Sequence, residues 1–385
     1  MENIYLDNAA TSFPKASGLG EFISNYISNF GVNINRGFSE LSYEAENIVY
    51  NTREILCEFF HFDDPSQVIF TKNITESINV IMLGLLKSSD HIIVSSMEHN
   101  AVVRPLSFLH DNGVSFSKVK CSKDGELNPE DIKKLVRKNT KAIIMTHSSN
   151  VSGKIFPLKR VGEIAKEHNL YFIIDTAQTA GFIPIDFHDL NADVITFTGH
   201  KGLLGPQGIG GFLINSVINK KVRPLVYGGT GSFSHLERQP NTMPDKYESG
   251  TLNIPGIAGL NFSLNYIKEI GGLEYIREKE IALTKKFIEG LMNINKIKIV
   301  GSLELTDRCP VVSITTDKKD ISDVAYQLNK RYGISTRVGL HCSPWSHMTL
   351  GTFPQGTIRF SIGHKNTNEQ IDKVILALNS IMNNK

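Results

Sequence analysis

The chain has 385 residues, of which 41% are hydrophobic and 21% charged, and its formal net charge is +2. This composition is typical of a globular protein with two or three domain-sized units, and the small net charge argues against a dedicated nucleic-acid binder. No run approaches the roughly 18 apolar residues of a membrane span, and the N-terminus lacks the features of a signal peptide. We therefore expect a cytoplasmic protein without a membrane segment.

The first two thirds of the chain alternate β-branched runs with amphipathic helical patterns. Near-continuous apolar strands interleaved with helices indicate a mostly parallel sheet covered on both faces, which is the α/β class. The predicted strands are residues 91–95, 142–146, 171–175, 194–198 and 210–214, and helices are predicted over residues 78–86, 129–138 and 158–168. A stretch with several glycines and prolines over residues 227–244 predicts a long surface loop.

The last third mixes helices and strands in a different order. Helices are predicted over residues 260–270, 273–293, 321–332 and 368–382, and strands over residues 297–300, 311–315 and 357–362. We predict a large domain over residues 16–262 and a smaller α+β domain over residues 263–385, which the N-terminal residues 1–15 join.

Two residues at strand ends carry the strongest chemical signal. Asp175 ends one predicted strand, and Lys201 follows another in the segment Thr198-Gly199-His200-Lys201. Ligands of open α/β sheets bind beyond the carboxyl ends of the strands, so an acid and an amine there can face one crevice. Pyridoxal phosphate (PLP) needs an amine for a Schiff base and an anion opposite its pyridine nitrogen.

Three further segments hold candidate site residues. Thr75 lies near a predicted helix N-terminus, where it either caps the helix or belongs to a phosphate site. His99 follows the strand 91–95 and is either structural or aimed at the same crevice. Arg359 alternates with apolar residues on a strand, where it is either a surface residue or a carboxylate ligand.

The four cysteines, which are Cys57, Cys121, Cys309 and Cys342, have no spacing typical of a zinc site. Cys342 lies in the polar segment Arg337-Val338-Gly339-Leu340-His341-Cys342 and is a better candidate for a reactive thiol than Cys57, which falls in a helical apolar pattern. We predict no metal site.

These motifs together resemble the class V aminotransferase superfamily of fold-type I PLP enzymes. Within it, the chain is most similar to the cysteine desulfurase and selenocysteine lyase group, in its SufS-like branch. The resemblance runs from Tyr5-Leu6-Asp7-Asn8-Ala9-Ala10-Thr11 to Phe360-Ser361-Ile362-Gly363. It implies a fold-type I architecture with a seven-stranded sheet in the large domain.

The resemblance also implies roles for residues around the cofactor. Lys201 would form the Schiff base, Asp175 would pair with the pyridine nitrogen, and Gln178 would bond the phenolic oxygen. His99 would stack on the ring and take part in catalysis. The phosphate would be held by Thr75, Thr198 and His200.

Substrate binding and assembly follow from the same resemblance. Asn150 would contact the cofactor or substrate, Arg359 would bind the substrate carboxylate, and Cys342 would be the nucleophile that forms a persulfide. Thr251 matches a residue that reaches the phosphate of the other subunit, which implies a homodimer.

The expected activity is PLP-dependent cysteine desulfuration, which converts L-cysteine to L-alanine and leaves sulfur on Cys342 for an acceptor that can be another protein. A selenocysteine lyase, an aminotransferase or epimerase with Cys342 incidental, and a non-catalytic protein of the same fold are the alternatives. Three departures from the group bear on the substrate: Asn73-Ile74 before Thr75, Asn35 before Arg36-Gly37, and the predicted loop over residues 343–351.

Overall fold

A central seven-stranded sheet and a smaller antiparallel sheet organise the computed structural model, which describes residues 3–34 and 39–383. Over these residues the strands are β1 (Ile4–Tyr5), β2 (Val68–Thr71), β3 (His91–Ser95), β4 (Ser115–Val119), β5 (Thr140–Thr146), β6 (Tyr171–Asp175), β7 (Val194–Thr198), β8 (Gly210–Ile214), β9 (Ile297–Val300), β10 (Val311–Thr316), β11 (Ile334–Ser335), β12 (Arg337–Gly339) and β13 (Thr357–Ser361). The helices are α1 (Leu19–Asn29), α2 (Glu40–Phe60), α3 (Ile74–Leu85), α4 (Asn100–Asp111), α5 (Leu158–Glu167), α6 (Ser216–Asn219), α7 (Ile254–Glu269), α8 (Gly272–Met292), α9 (Ile321–Tyr332), α10 (Pro344–Leu350) and α11 (Asn368–Asn383).

The large sheet has the strand order β2-β8-β7-β6-β5-β3-β4. Strands β4, β3, β5, β6 and β7 pair in parallel, whereas β8 is antiparallel to both of its neighbours. Alternate residues of each strand point to opposite faces, so Ile93 and Ile143 pack in one apolar core while Ile92 and Ile144 pack in another. The α/β prediction, with a mostly parallel sheet, is confirmed.

The smaller sheet has the order β12-β13-β10-β9 and packs with α8, α9 and α11 in a separate core. The N-terminal strand β1 pairs with β11, and Ile4 and Leu6 are buried in this same core. That packing agrees with assigning the N-terminus to the smaller unit, and the boundaries 16–262 and 263–385 stay a prediction.

Two predicted elements differ in the structure. Residues 129–138 were expected to be an α-helix, but only Pro129–Leu135 are helical, and they form a 3₁₀ helix. The Arg137 N–H donates to the Thr140 hydroxyl instead of continuing the helix. The expected loop over residues 343–351 is wrong, since most of it forms α10, with Pro344 at its first position and Gly351 at its C-terminus in the left-handed conformation.

The long loop is confirmed, since residues 220–253 contain neither helix nor strand. Asn35, Arg36 and Gly37, which carry one departure from the resembled group, lie outside the described residues. None of the described helices is long and apolar enough to cross a membrane.

Candidate active site

The carboxyl ends of the parallel strands meet at one edge of the large sheet. β6 ends at Asp175, β7 ends at Thr198, and His99 follows β3 as the N-cap of α4. Thr146 at the end of β5 lies directly opposite Asp175. These side chains are thereby brought to the edge where α/β sheets bind ligands.

Asp175 is a buried carboxylate, 2% exposed, at the centre of this edge. Its Oδ1 accepts a hydrogen bond from the Ala177 N–H at 2.9 Å. Burial raises the pKa of Asp175, while that hydrogen bond and the charge of Lys201 oppose the rise. A second cation near Asp175 would hold its carboxylate in the charged form.

Lys201 lies in the turn after β7, held there by close backbone packing. Burial lowers the pKa of Lys201 to about 8, and the charge of Asp175 opposes this, while Arg359 and Arg337 reinforce it. Gly202 explains the tight turn, because a Cβ at this position would lie 2.4 Å from the Ala180 carbonyl oxygen. An amine with a pKa near neutrality is neutral often enough to act as a nucleophile or a base.

Two buried polar atoms beside Lys201 lack partners. Among the described residues, neither Thr198 Oγ1 nor His200 Nδ1 has a hydrogen-bond partner. Burial lowers the pKa of His200 to about 4, with the charges of Lys201 and Lys15 acting the same way. Unpartnered buried polar groups in one turn suit a polar ligand that the chain itself does not provide.

Thr75 is exposed in the first turn of α3, but it does not cap the helix. Asn73 is the N-cap, and its amide oxygen accepts from the Glu76 N–H at 3.0 Å. Glu76 Oε2 in turn accepts from the Lys72 N–H at 2.6 Å. The cap interpretation of Thr75 is therefore wrong, and the residue lines a cavity of about 480 Å³ together with His99 and Cys342.

The orientation of His99 is fixed by its own helix. Its Nδ1 accepts from the Ala101 N–H at 3.0 Å, which leaves Nε2 as the protonated nitrogen of the neutral ring. Burial lowers the pKa of His99 to about 3, and the charges of Lys201 and Arg359 act in the same direction. The ring is therefore neutral at physiological pH.

Arg359 is a buried guanidinium that the chain only partly pairs. Its Nη2 lies 2.7 Å from Asp7 Oδ1, and its Nη1 donates to the Asn150 carbonyl oxygen at 3.1 Å. Its Nε is buried and has no partner among the described residues. Arg337 lies directly across from Arg359 on β12, which adds a second positive charge on the same face of the small sheet.

Cys342 is the exposed cysteine, at the end of a segment tied to the rest of the site. The Asn150 amide donates to the His341 carbonyl at 2.8 Å and accepts from the Ser343 hydroxyl at 2.6 Å, so it holds both neighbours of Cys342. The Asn100 N–H donates to the Cys342 carbonyl at 2.8 Å, next to His99.

The other three cysteines are protected. Burial raises the pKa of Cys57 and of Cys309 to about 12, and that of Cys121 to about 11. Cys342 is therefore the accessible thiol of the described chain, in agreement with its choice over Cys57.

Two predicted residues lie at the margins of this cluster. Gln178 follows Asp175 and donates from Nε2 to the Ala9 carbonyl at 3.2 Å. Thr251 is exposed and borders a different cleft, of about 850 Å³, with Arg53 and Glu248. Within one chain, Thr251 thus does not share a cavity with Lys201.

Sequence reasoning assigned no role to three residues that shape the site. Asp7 anchors Arg359, and Lys15 donates from Nζ to the His200 carbonyl at 2.7 Å. Glu98 is fully buried and accepts from the Thr146 N–H at 3.1 Å, which fixes the ends of β3 and β5 beside His99. Glu98 stands next to the predicted His99, and that proximity was the one available signal.

Comparison with known proteins places these features in a family context. Residues 4–374 match the family described as Aminotransferase class-V. A probable cysteine desulfurase of Methanothermobacter thermautotrophicus is 30% identical over 376 residues, covering 96% of this chain and 92% of that protein. A probable cysteine desulfurase of Pyrococcus abyssi is 31% identical, over 99% of this chain and 94% of that protein.

Solved structures give the same result. The apo cysteine desulfurase from Thermococcus onnurineus superposes with a TM-score of 0.92 at 30% identity, over 99% of this chain and 94% of that one. An S-sulfonic acid form of an Escherichia coli cysteine desulfurase superposes with a TM-score of 0.87 at 25% identity, over 98% of this chain and 94% of that one.

Proposed function

Because this chain belongs to the class-V aminotransferase family, we propose that it is a PLP-dependent cysteine desulfurase that converts L-cysteine to L-alanine and takes up the sulfur on Cys342. One observation carries the proposal. The accessible thiol of Cys342 lines the same cavity as Thr75 and His99, and the Asn100 N–H, next to His99, donates to the Cys342 carbonyl at 2.8 Å.

The residues around Lys201 fit PLP. Within the described part of the chain, Thr198 Oγ1 and His200 Nδ1 are buried without partners, and they suit the phosphate together with the hydroxyl of Thr75 and the first turn of α3. Asp175 would face the pyridine nitrogen, whose positive charge would favour the buried carboxylate. Gln178 would bond the phenolic oxygen, and the neutral ring of His99 would stack on the cofactor.

PLP, when bound, supplies an electron sink that makes loss of the substrate Cα proton possible. The chain supplies the proton transfer, since the lowered pKa of Lys201 allows its amine to accept that proton and return it. Asp175 would keep the charge next to the ring negative, so that the pyridine nitrogen of bound PLP would stay protonated.

Arg359 would bind the substrate carboxylate. Asp7 and the Asn150 carbonyl hold the guanidinium in place, and its buried Nε remains available as a donor. Arg337 across the strand pair adds positive charge, which favours an anionic group at this position.

Cys342 would complete the reaction by attacking the substrate sulfur. A bond forms between its Sγ and that sulfur, the carbon–sulfur bond of the substrate breaks, and the carbon takes up a proton. The products are alanine and a persulfide on Cys342. One Cys342 thiol and one substrate cysteine thus give one persulfide and one alanine. The sulfur then passes to an acceptor, and we expect all of this to occur in the cytoplasm.

A homodimer is part of the proposal. Thr251 borders a cleft apart from Lys201, which suits a residue that acts on the phosphate bound by a second copy of the chain. The buried pair of Arg53 and Glu248, at 2.7 Å, ties the segment before Thr251 to the body of the molecule.

Mass spectrometry after incubation with cysteine tests the proposal. We expect one additional sulfur atom on the peptide with Cys342 and release of alanine. The Cys342→Ala variant should bind PLP and form no persulfide, whereas Cys121→Ala should behave as the wild type. Sulfide release retained by Cys342→Ala, or alanine formed from selenocysteine alone, would contradict a cysteine desulfurase, and a keto acid or D-amino acid product would indicate the aminotransferase or epimerase alternative.

A further inference from the structure

The turn that carries Cys342 has an unfavourable backbone conformation. His341 and Cys342 both have positive φ, 48° and 58°, and the Ser343 N–H closes the turn by donating to the Leu340 carbonyl at 2.8 Å. Positive φ at both central residues is the pattern of a type I′ turn, in which glycine, asparagine and aspartate predominate. The Cβ atom makes this conformation unfavourable for a histidine and a cysteine. The turn therefore needs contacts from other segments to keep its shape.

The side chain of Asn150 contacts this turn on both sides of Cys342. Asn150 is 8% exposed, its Nδ2 donates to the His341 carbonyl at 2.8 Å, and its Oδ1 accepts from the Ser343 hydroxyl at 2.6 Å. Ser343 is fully buried, so the loss of its hydrogen bond would be costly. One donor and one acceptor of the Asn150 amide are thus bound to the turn.

The backbone of Asn150 is held by the proposed carboxylate ligand. Arg359 Nη1 donates to the Asn150 carbonyl oxygen at 3.1 Å. The turn also contacts the strand of Arg359, because His341 Nε2 lies 2.8 Å from the hydroxyl of Thr357, two positions before Arg359 on β13. Arg359 and the turn of Cys342 are therefore joined through one residue, Asn150, whose backbone contacts the first and whose side chain contacts the second.

We propose that Asn150 is a positioning residue for Cys342, which keeps the turn in its left-handed conformation and at a fixed place relative to Arg359. The inference deepens the proposed function and rests on it for the role of Cys342 as nucleophile. Sequence analysis led us to expect that Asn150 contacts the cofactor or the substrate, whereas in this role it acts through Cys342.

Positioning matters because the thiol and the substrate are held by different segments. A substrate carboxylate bound by Arg359 fixes the location of the substrate sulfur. The Sγ of Cys342 must then approach that sulfur in line with the carbon–sulfur bond that breaks. A misplacement of about 1 Å can slow a reaction about a hundredfold. A turn that samples several conformations would therefore lower the rate of sulfur transfer without weakening substrate binding.

Two reactions of the PLP-bound protein separate this role from a contact with the substrate. Desulfuration of L-cysteine needs Cys342, whereas exchange of the Cα hydrogen of L-alanine with deuterium oxide needs Lys201 and no thiol. Asn150→Ala leaves the backbone carbonyl that Arg359 contacts in place. It should lower kcat for desulfuration about tenfold, with KM for cysteine and the alanine exchange rate close to those of the wild type.

A matched control is Asn261→Ala, which removes a partly buried amide on α7 and should change none of these values. A parallel loss of alanine exchange in Asn150→Ala, or a rise in KM as large as the fall in kcat, would overturn the proposal in favour of a contact with cofactor or substrate.

Ser343→Ala gives a second variant that keeps the Asn150 amide intact. It removes the hydroxyl that donates to Asn150, so it should also lower kcat for desulfuration and spare alanine exchange. Because the two side chains act through one hydrogen bond, the double variant should lose less activity than the product of the two single losses. Single losses that multiply in full would contradict a shared action on the turn.

Hydrogen exchange of the protein without cofactor gives a readout that is independent of activity. The Ser343 N–H, which closes the turn, should exchange faster in Asn150→Ala than in the wild type and at the wild-type rate in Asn261→Ala. Unchanged protection of this N–H in Asn150→Ala would overturn the proposal. A wild type that forms no persulfide would instead contradict the desulfurase proposal, and exchange of the Ser343 N–H would still decide whether Asn150 holds the turn.

Discussion

Buried charges at the sheet edge define the chemistry of individual residues. Lys201 is an amine whose charged form is disfavoured by burial, and Asp175 is a carboxylate whose charged form is disfavoured for the same reason. Each partly compensates the other, and neither is fully paired. Such an arrangement costs stability in the chain alone and is typical of sites that bind a charged ligand.

Lys201→Met should stabilise the apo protein in a pH-dependent way. Lys201 has a pKa of about 8 in the folded chain against an ordinary value of 10.5, so unfolding takes up a proton between these values and stability rises with pH there. The cost of burying the charged Lys201 amine is complete below about pH 8 and is gone above about pH 10.5. Denaturant titrations should show the variant more stable at pH 7, by at most about 3 kcal/mol, and equal at pH 10.5, while exposed Lys221→Met shows no such trend. A difference in the free energy of unfolding between variant and wild type that widens with pH would contradict the lowered pKa of Lys201.

Asp7→Asn should weaken cysteine binding more than turnover. The Asp7 carboxylate fixes Arg359 at 2.7 Å, and its loss lets the guanidinium move from the position that meets the substrate carboxylate. We expect KM for cysteine to rise about tenfold with a smaller change in kcat, measured by alanine formation. Asp111→Asn, on the exposed end of α4, is the control, and an unchanged KM in Asp7→Asn would argue against Arg359 as the carboxylate ligand.

Elements position these residues through the turns that follow the strands. The turn after β6 and the turn after β7 touch backbone to backbone, since a Cβ on Gly181 would lie 2.2 Å from Gly202 and one on Gly202 would lie 2.4 Å from Ala180. Asp175 directly precedes the first of these turns, and Lys201 lies in the second. Their relative position therefore depends on glycine at the contact.

Gly202→Ala should disturb both stability and cofactor binding. The added methyl group has no space against the Ala180 carbonyl, so we expect a loss of about 1–3 kcal/mol in the free energy of unfolding and weaker PLP binding. Gly20→Ala in α1 has open space around its Cβ and should be neutral or slightly stabilising. Thermal unfolding and PLP titration measure both effects, and normal PLP affinity in Gly202→Ala would contradict the role of this contact.

The local hydrophobic pattern of the sequence predicted most of the strands and helices but not the long-range contacts. Strands β3, β6, β7 and β8 were predicted with their observed bounds because buried β-branched runs are bounded by turn residues. The helix α10 was missed because seven residues with a proline and three polar side chains carry little helical pattern. The pairing of Asp7 with Arg359 joins residues 352 positions apart, and no periodicity reports such a contact.

The large sheet and the smaller unit meet near Lys201. Pro310 and Ile362 of the small unit line one cavity together with Gln178 and Lys201. The thiol, in contrast, is carried by the segment between β12 and α10. Chemistry at Lys201 and at Cys342 thus depends on how the smaller unit sits against the large sheet.

Mixed dimers should test whether Thr251 acts on the other subunit. Lys201→Ala and Thr251→Glu each should be inactive alone, the second because its charge repels a phosphate. In a mixture refolded together, half of the dimers carry both variants and one intact site each, so about a quarter of the wild-type activity should return. No recovery despite proven subunit mixing would place Thr251 outside the partner's site.

The covalent attachment point of PLP is the most direct test of the proposed function. The protein should be incubated with PLP, reduced with borohydride, digested, and its peptides analysed by mass spectrometry. We predict a single reduced pyridoxyl adduct on Lys201, with none in Lys201→Ala. Protein that remains colourless with PLP and yields no adduct at residue 201 would contradict the proposal that Lys201 binds PLP covalently.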